Sequence, residues 1–210
     1  MNPGRDLLLF LLVVAPAFEL RAAEPAVAVG VARIDITPEV PIQLAGYQSR
    51  TTEAPRVGMP LTARALAIGS DAESPVVLIT AEVIAISEAI SEAVSAAIRA
   101  RYPIPRERIA VCATHQHNGP AIAGTIPFMF SRDLSPDATA RIDRYAETLR
   151  DKLIAVALAA LADRKPARLA WAQGAADFAV NRRLIVDGKH AGYKATPGGP
   201  VDHALPVLRA

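Results

Sequence analysis

The amino-acid sequence predicts an α/β fold: a mixed sheet that contains a parallel βαβ unit, with flanking helices. Two patterns carry this prediction. Several short segments alternate in polarity or are apolar throughout, whereas two longer segments repeat their apolar residues at helical spacing. Between residues 75 and 114 a strand, a helix and a strand follow one another, an order that joins parallel strands through a right-handed crossover.

The first predicted strands surround one long loop. Residues 27–36 alternate in polarity and form the opening strand. Residues 38–60 are rich in Pro, Gly and polar side chains, and long ordered loops of this kind are often functional. Residues 64–69 and 75–83 form the next two strands, separated by a Gly-Ser-Asp turn.

The remaining elements include two helices. Apolar residues between 86 and 98 recur at helical spacing, and residues 108–114 form the strand that completes the parallel unit. A second helix begins at Ser135, whose hydroxyl can cap it just before a proline, and it continues to about Asp163. Residues 168–180 form a strand pair or one long strand.

The N-terminus predicts export. Arg5 precedes a short apolar run at residues 7–14, and small residues that suit cleavage follow, which is the order of a secretory signal peptide. The run is much shorter than the roughly 20 residues of a membrane span, so an uncleaved anchor is the less favoured alternative. We expect residues 1–23 to be a signal peptide, residues 24–210 to belong to one domain, and the protein to be secreted or periplasmic.

The charge and cysteine content of the sequence limit the expected binding partners and covalent chemistry. The formal net charge is +2 and no block of Lys or Arg forms a stripe, so nucleic acid is not a favoured partner. The single cysteine, Cys112, cannot form an internal disulfide. Because it lies in an apolar, β-prone run, we expect a small buried residue rather than a reactive thiol.

Candidate site residues follow two of the predicted strands. Ligands of open α/β sheets bind at the carboxyl ends of the strands, where Glu82, His115 and His117 lie. Because residues i and i+2 of an extended segment point the same way, the two imidazoles can face one small volume, and such a pair suits zinc. The alternative is two hydrogen-bonded histidines at the start of a loop.

Glu82 and Arg182 each have a functional and a structural interpretation. Glu82 could orient a ligand histidine, because a metal-bound imidazole usually donates its other N–H to a carboxylate or carbonyl, or it could be a solvated carboxylate at a strand end. Arg182 follows the last predicted strand, where an arginine is more often a surface charge.

Five segments together resemble the neutral/alkaline non-lysosomal ceramidase family, in its N-terminal catalytic domain. Residues 113–120 resemble the family's Thr-His-Thr-His-Ser-Gly-Pro signature, with Gln116 and Asn118 as departures. The other segments, in the family's order, are residues 29–38, 45–47, 63–66 and 181–182.

The resemblance implies zinc-dependent hydrolysis of the amide of ceramide to sphingosine and fatty acid. His115 then matches the family's first zinc ligand, His117 a histidine at the substrate carbonyl, and Arg182 an arginine of the catalytic pocket. Glu82 stands where family members have Asp. A lipid-like N-acyl amide substrate also implies peripheral contact with a membrane.

The resemblance further implies that the chain is an incomplete, N-terminal part of a larger domain. The family's second histidine ligand, a Glu and a Tyr lie further along the chain than Ala210, and His190 and His203 match no ligand position and are expected to be solvated in loops. We therefore expect the 210 residues alone to show weak or no metal affinity and no useful turnover. Two alternatives stay open: the same fold and zinc with a non-sphingolipid substrate, or a truncated, non-catalytic binding or structural domain.

Overall fold

The structure is a computed structural model that describes residues 26–125, 133–196 and 198–210. The predicted signal peptide, residues 1–23, lies outside the described residues. Within the described part of the chain, no helix has both the length and the apolar character needed to cross a membrane.

The described residues form a mixed α/β fold, as predicted. The strands are β1 (Val27–Asp35), β2 (Thr62–Ile68), β3 (Val76–Ala81), β4 (Ile109–Ala113), β5 (Lys165–Ala167), β6 (Ala170–Ala175), β7 (Arg183–Val186), β8 (Lys189–Tyr193) and β9 (Ala204–Arg209), and the helices are α1 (Glu88–Arg99) and α2 (Pro136–Ala162). Both helices begin at a serine cap: Ser87 accepts a hydrogen bond from the Ile90 N–H, and Ser135 accepts one from that of Ala138.

The main sheet has five strands in the order β4-β3-β2-β1-β5. Strands β3 and β4 are parallel, in a register that sets Val77 opposite Ile109 and Ala81 opposite Ala113, and the other neighbours are antiparallel. The mixed sheet and its parallel β3–α1–β4 unit are thus confirmed. Because β3 and β4 run the same way, the residues that follow both strands leave the sheet at one edge.

The core lies between this sheet and the helices, since α2 packs against β1, β2 and α1. On the sheet side, alternate residues of β2 and β3 are buried, such as Ala65 and Ile79, and on the helix side Leu149 and Leu153 are fully buried. Gly30 allows β1 to approach α2 closely, because a Cβ there would lie 1.9 Å from the Ala160 carbonyl oxygen. This packing holds the strands whose ends carry the candidate site.

Cys112 is exposed, so the expectation of a buried cysteine is wrong. Along β4, Ile109 is buried and Val111 is half-buried, and Cys112 points to the opposite face. That face of the sheet is open: Val31 is 59% exposed and Leu78 is 38% exposed. An apolar run does not reveal which face of a sheet its neighbours cover.

The C-terminal residues form two small sheets. The strand expected within residues 168–180 is β6, which pairs antiparallel with β9. The hairpin of β7 and β8 was not predicted, although its turn residues, Asp187 and Gly188, both have positive φ and form an Asp-Gly signal typical of such turns. His190 therefore lies on β8 rather than in a loop, and like His203 it is exposed.

Candidate active site

The two candidate histidines lie where β4 ends. The Thr114 N–H still donates to the Ala81 carbonyl at 3.0 Å, which continues the pairing with β3 by one residue. His115 then takes a φ of +58°, a left-handed conformation that is uncommon for a residue other than glycine. This residue turns the chain out of the sheet.

The structure brings His115 and His117 together. Their ring centroids are 4.9 Å apart and the rings meet edge to face at 81°. His115 comes directly from the strand end, and His117 packs against Tyr47 of the long loop, with ring centroids 5.2 Å apart. The site is therefore built from two parts of the chain: the segment after β4 and the loop after β1.

Each imidazole is fixed by a main-chain carbonyl. His115 Nδ1 lies 2.9 Å from the Ile84 carbonyl oxygen, and His117 Nδ1 lies 3.0 Å from that of Gly46. Because a carbonyl can only accept, Nδ1 must donate in both rings, and in a neutral imidazole held in this way Nε2 keeps its lone pair. This is the arrangement that metal-ligating histidines use, with the second ring nitrogen held by a carbonyl or carboxylate.

Glu82 does not hold a histidine in this structure. Its carboxylate accepts from the Thr62 N–H and from the Arg64 guanidinium, both at 2.8 Å, and chiefly because of Arg64 its pKa is lowered. Arg64 lies on the neighbouring strand β2, and the Glu82 carboxylate pairs with it at the strand end. The acceptor for the His115 ring is instead the Ile84 carbonyl. Among the described residues, the interpretation of Glu82 as the carboxylate that orients a ligand histidine therefore has no supporting contact.

Glu82 still supports the histidine loop through its own main chain. Its carbonyl accepts from the Gln116 side-chain amide at 2.8 Å, and the oxygen of that amide accepts from the Asn118 N–H at 2.7 Å. Gln116, one of the departures from the family signature, thus braces the loop between the two histidines.

Arg182 is exposed between β6 and β7. Its carbonyl accepts from the Lys194 N–H at 3.0 Å. Within the described ranges, no hydrogen bond, ion pair or ring contact joins its side chain to His115 or His117. The structure does not bring this candidate together with the others.

Sequence reasoning missed Arg50. Its guanidinium donates through Nη1 to the carbonyls of Ala45 and His117 and through Nη2 to Asn118 Oδ1 at 2.7 Å, and it lies 4.8 Å from the centre of the Tyr47 ring. A lone arginine in a polar loop carries no spacing signal, so only the three-dimensional return of the loop reveals these contacts.

Gly46 allows the loop to approach the histidines. Its φ is +106°, and a Cβ there would lie 2.7 Å from His117 Cβ. Both the backbone conformation and the close approach therefore require glycine. The adjacent Tyr47 and the Gly46 carbonyl then contact the His117 ring from the same short segment.

A model of the N-terminal region of the neutral/alkaline non-lysosomal ceramidases matches residues 27–182. The chain belongs to this family. The resemblance noted in the sequence is confirmed, and the matched range includes both histidines, Glu82, Arg50 and Arg182. No curated protein sequence matches the chain significantly.

Solved structures agree on the fold. A neutral ceramidase from Pseudomonas aeruginosa aligns with a TM-score of 0.61 and 22% identity over 77% of this chain, and a ceramidase complexed with C2 aligns with a TM-score of 0.61 and 22% identity over 76%. The chain spans 25% of the length of each of these ceramidases. At this identity the likeness establishes the fold.

The donor set at the site is two imidazoles. Across residues 26–125, 133–196 and 198–210, no group of three or more His, Cys, Asp or Glu side chains could hold a metal ion. A catalytic zinc generally uses three protein ligands and an open position. The Nε2 atoms of His115 and His117 are nitrogen ligands of the type that zinc binds, but two of them do not make the three protein ligands of a catalytic site.

An apolar groove of about 590 Å³ adjoins the histidine loop. Leu44 and Leu61 line it, Gln116 and Asn118 on either side of His117 form part of its wall, and Met59 at its rim is 74% exposed. Its volume is in the range of ligand pockets, and its lining favours an apolar group.

Proposed function

We propose that this chain supplies the histidine pair of a zinc-dependent N-acyl amide hydrolase that acts on ceramide or a closely related lipid. One observation carries the proposal: in a member of the ceramidase family, His115 and His117 emerge from one sheet edge with both Nδ1 atoms held by carbonyls, so that each neutral ring can offer its Nε2 lone pair to a metal ion or a proton. The family relationship alone would not require that geometry.

His115 would bind zinc through Nε2, with the Ile84 carbonyl holding its ring. The remaining ligands would come from residues other than those that the structure describes. Zinc, when bound, would polarise the amide carbonyl and lower the pKa of the attacking water.

His117 would move the proton. In the tautomer fixed by Gly46, its Nε2 is an acceptor, so it can take a proton from the water as the water oxygen bonds to the amide carbon. The resulting imidazolium can hydrogen-bond from Nε2 to the negative oxygen. It can then transfer that same proton to the amide nitrogen, which leaves as the amine when the C–N bond breaks. In this scheme His117 acts at the substrate carbonyl, the role that the family resemblance implies, after it has taken up the proton from water.

Arg182 remains a proposed contributor to the catalytic pocket because it occupies the matching family position. For its guanidinium to stabilise the negative oxygen, the exposed segment between β6 and β7 would have to lie against the histidine loop. Loss of activity in Arg182→Ala, with no loss in Arg183→Ala, would support this role.

The apolar groove supports a lipid-like substrate. An acyl chain in the groove would extend from the amide at His117 past Leu44 and Leu61, and the exposed rim at Val57 and Met59 would contact lipid at a membrane surface. We further propose that the protein is exported with removal of residues 1–23, which N-terminal sequencing of the mature protein would test.

Hydrolysis assays test the proposal. A form of the protein extended to the length of its relatives should release fatty acid from ceramide faster than from short N-acyl amides, and His117→Ala should abolish the reaction. His190→Ala, on the exposed strand β8, is the matched control and should retain activity. Preference for short amides would instead favour a non-sphingolipid substrate, and inactivity on all amides would favour a binding or structural domain.

A further inference from the structure

Arg50 joins the two parts of the chain that build the site. From the long loop, its guanidinium donates to the Ala45 carbonyl within the same loop and to the His117 carbonyl and Asn118 Oδ1 across from it. Three charge-assisted hydrogen bonds on one planar group restrict both segments, and each is stronger than a bond between neutral groups.

The contacts of Arg50 converge on His117. Its main chain is held by Arg50 directly, and its ring is held by the Gly46 carbonyl at 3.0 Å, next to the Ala45 peptide that Arg50 also binds. The ring of Tyr47 contacts both side chains, with its centroid 4.8 Å from the guanidinium carbon and 5.2 Å from the imidazole centroid. Loss of the guanidinium would therefore release the main chain and the ring support of His117 together.

The loop has other anchors that do not involve the Arg50 side chain. The Ala45 N–H donates to the Gly119 carbonyl at 3.0 Å, and the Ala121 N–H donates to the Gln43 carbonyl at 2.9 Å. The side-chain amide of Gln43, which is 1% exposed, supports the Arg50 carbonyl at 3.3 Å. Because these bonds remain in a variant at position 50, the loop should stay docked while the support of His117 is lost.

We propose that Arg50 is the positioning residue for His117. It touches no reacting atom and acts through the His117 main chain, the segment that carries the Gly46 ring acceptor, and Tyr47, whose ring meets that of His117 edge to face. The structural part of this proposal concerns the His117 ring alone, and only its consequence for catalysis rests on the proposed function. A lysine at position 50 keeps the charge but lacks the planar fork, so it should support His117 only in part.

Nuclear magnetic resonance of ¹⁵N-labelled histidine tests the structural part. In the wild-type chain, both His115 and His117 should show the Nδ1–H tautomer with a slowly exchanging ring proton. In Arg50→Met, this proton should exchange at least tenfold faster at His117 and be unchanged at His115, which is held by Ile84 instead. Arg50→Lys should give an intermediate rate at His117 only.

Arg141→Met is the matched control. Arg141 ties the same loop to α2 through two hydrogen bonds with Glu53, at 2.9 and 2.6 Å, without contacting the histidines. It should leave both ring protons unchanged. Unchanged exchange at His117 in Arg50→Met, or equal acceleration in Arg141→Met, would overturn the proposal. If Arg50→Met does not fold, Arg50→Lys decides: a change at His117 alone supports the proposal, and no change there overturns it.

Kinetics test the catalytic consequence. In the extended protein, Arg50→Met should lower kcat by about a hundredfold, the effect of roughly 1 Å of misplacement. KM should change less, because Asn118 is the one residue of the described groove lining to which the Arg50 side chain donates a hydrogen bond. A rise in KM with unchanged kcat would show that Arg50 binds substrate instead. If no form of the protein hydrolyses amides, the proposed function fails, and the exchange result at His117 still decides the role of Arg50.

Discussion

Replacing Gly46 with alanine should destabilise the candidate site, because the added methyl group would collide with His117. The new Cβ would lie 2.7 Å from His117 Cβ and 2.8 Å from its Cα, and the φ of +106° is one that side-chain-bearing residues rarely adopt. Backbone strain of this kind costs about 1–3 kcal/mol, and overpacking costs about 1–3 kcal/mol more. We expect the free energy of unfolding to fall by roughly 2–6 kcal/mol, less whatever is relieved by displacement of His117.

Urea unfolding measures the loss, and the ring signal of His117 shows any displacement. Gly58→Ala is the matched control in the same loop, because a Cβ at Gly58 meets no atom within 4 Å. Its stability should change by no more than about 1 kcal/mol. If Gly46→Ala costs no more than Gly58→Ala and leaves His117 undisturbed, the close approach of the loop to the histidine is wrong.

Three further predictions concern the fold and the groove. Tyr145→Phe should cost about 1–3 kcal/mol of unfolding free energy, because the tyrosine hydroxyl donates at 2.7 Å to the buried Ile36 carbonyl. Burial raises the pKa of Tyr145, so wild-type stability should fall above about pH 10, where the unfolded state ionises first, and urea titrations of Tyr145→Phe should lack that component. Glu82→Gln should be less stable than wild type at pH 7. Because the pKa of Glu82 is lowered in the folded state, its carboxylate contributes stability above the unfolded pKa of 4.5. The difference in unfolding free energy between the two proteins should vanish as the pH falls through the folded pKa. Gly58→Phe should place a ring at the groove wall and raise KM for long-chain amides without raising it for short ones, whereas equal effects on both would argue against acyl binding there.

Local sequence patterns were sufficient for most of the framework. The serine cap of α2, the alternation of β1 and the order strand, helix, strand each depend on neighbouring residues, so they could be predicted from short windows. The adjacency of His115 and His117 could also be predicted locally, because a single residue, Gln116, separates them along one segment.

Contacts between distant segments could not be predicted. The partner of Glu82 depends on the pairing of β2 with β3, which brings Arg64 beside it, and the exposure of Cys112 depends on which face of the sheet is covered. Arg50 reaches His117 across 67 residues of sequence, a separation that no local pattern records. The missed hairpin of β7 and β8 is different, because its Asp187-Gly188 turn is a local signal.

Zinc content, measured by mass spectrometry after dialysis, tests the central claim most directly. The protein extended to the length of its relatives should retain one zinc ion per chain, His115→Ala should lose it, and His190→Ala should keep it. The 210-residue chain alone should retain much less, because its described residues supply two imidazole donors and no set of three ligands. An extended protein that holds no zinc, or one that keeps its zinc in His115→Ala, would contradict the assignment of this histidine as a metal ligand.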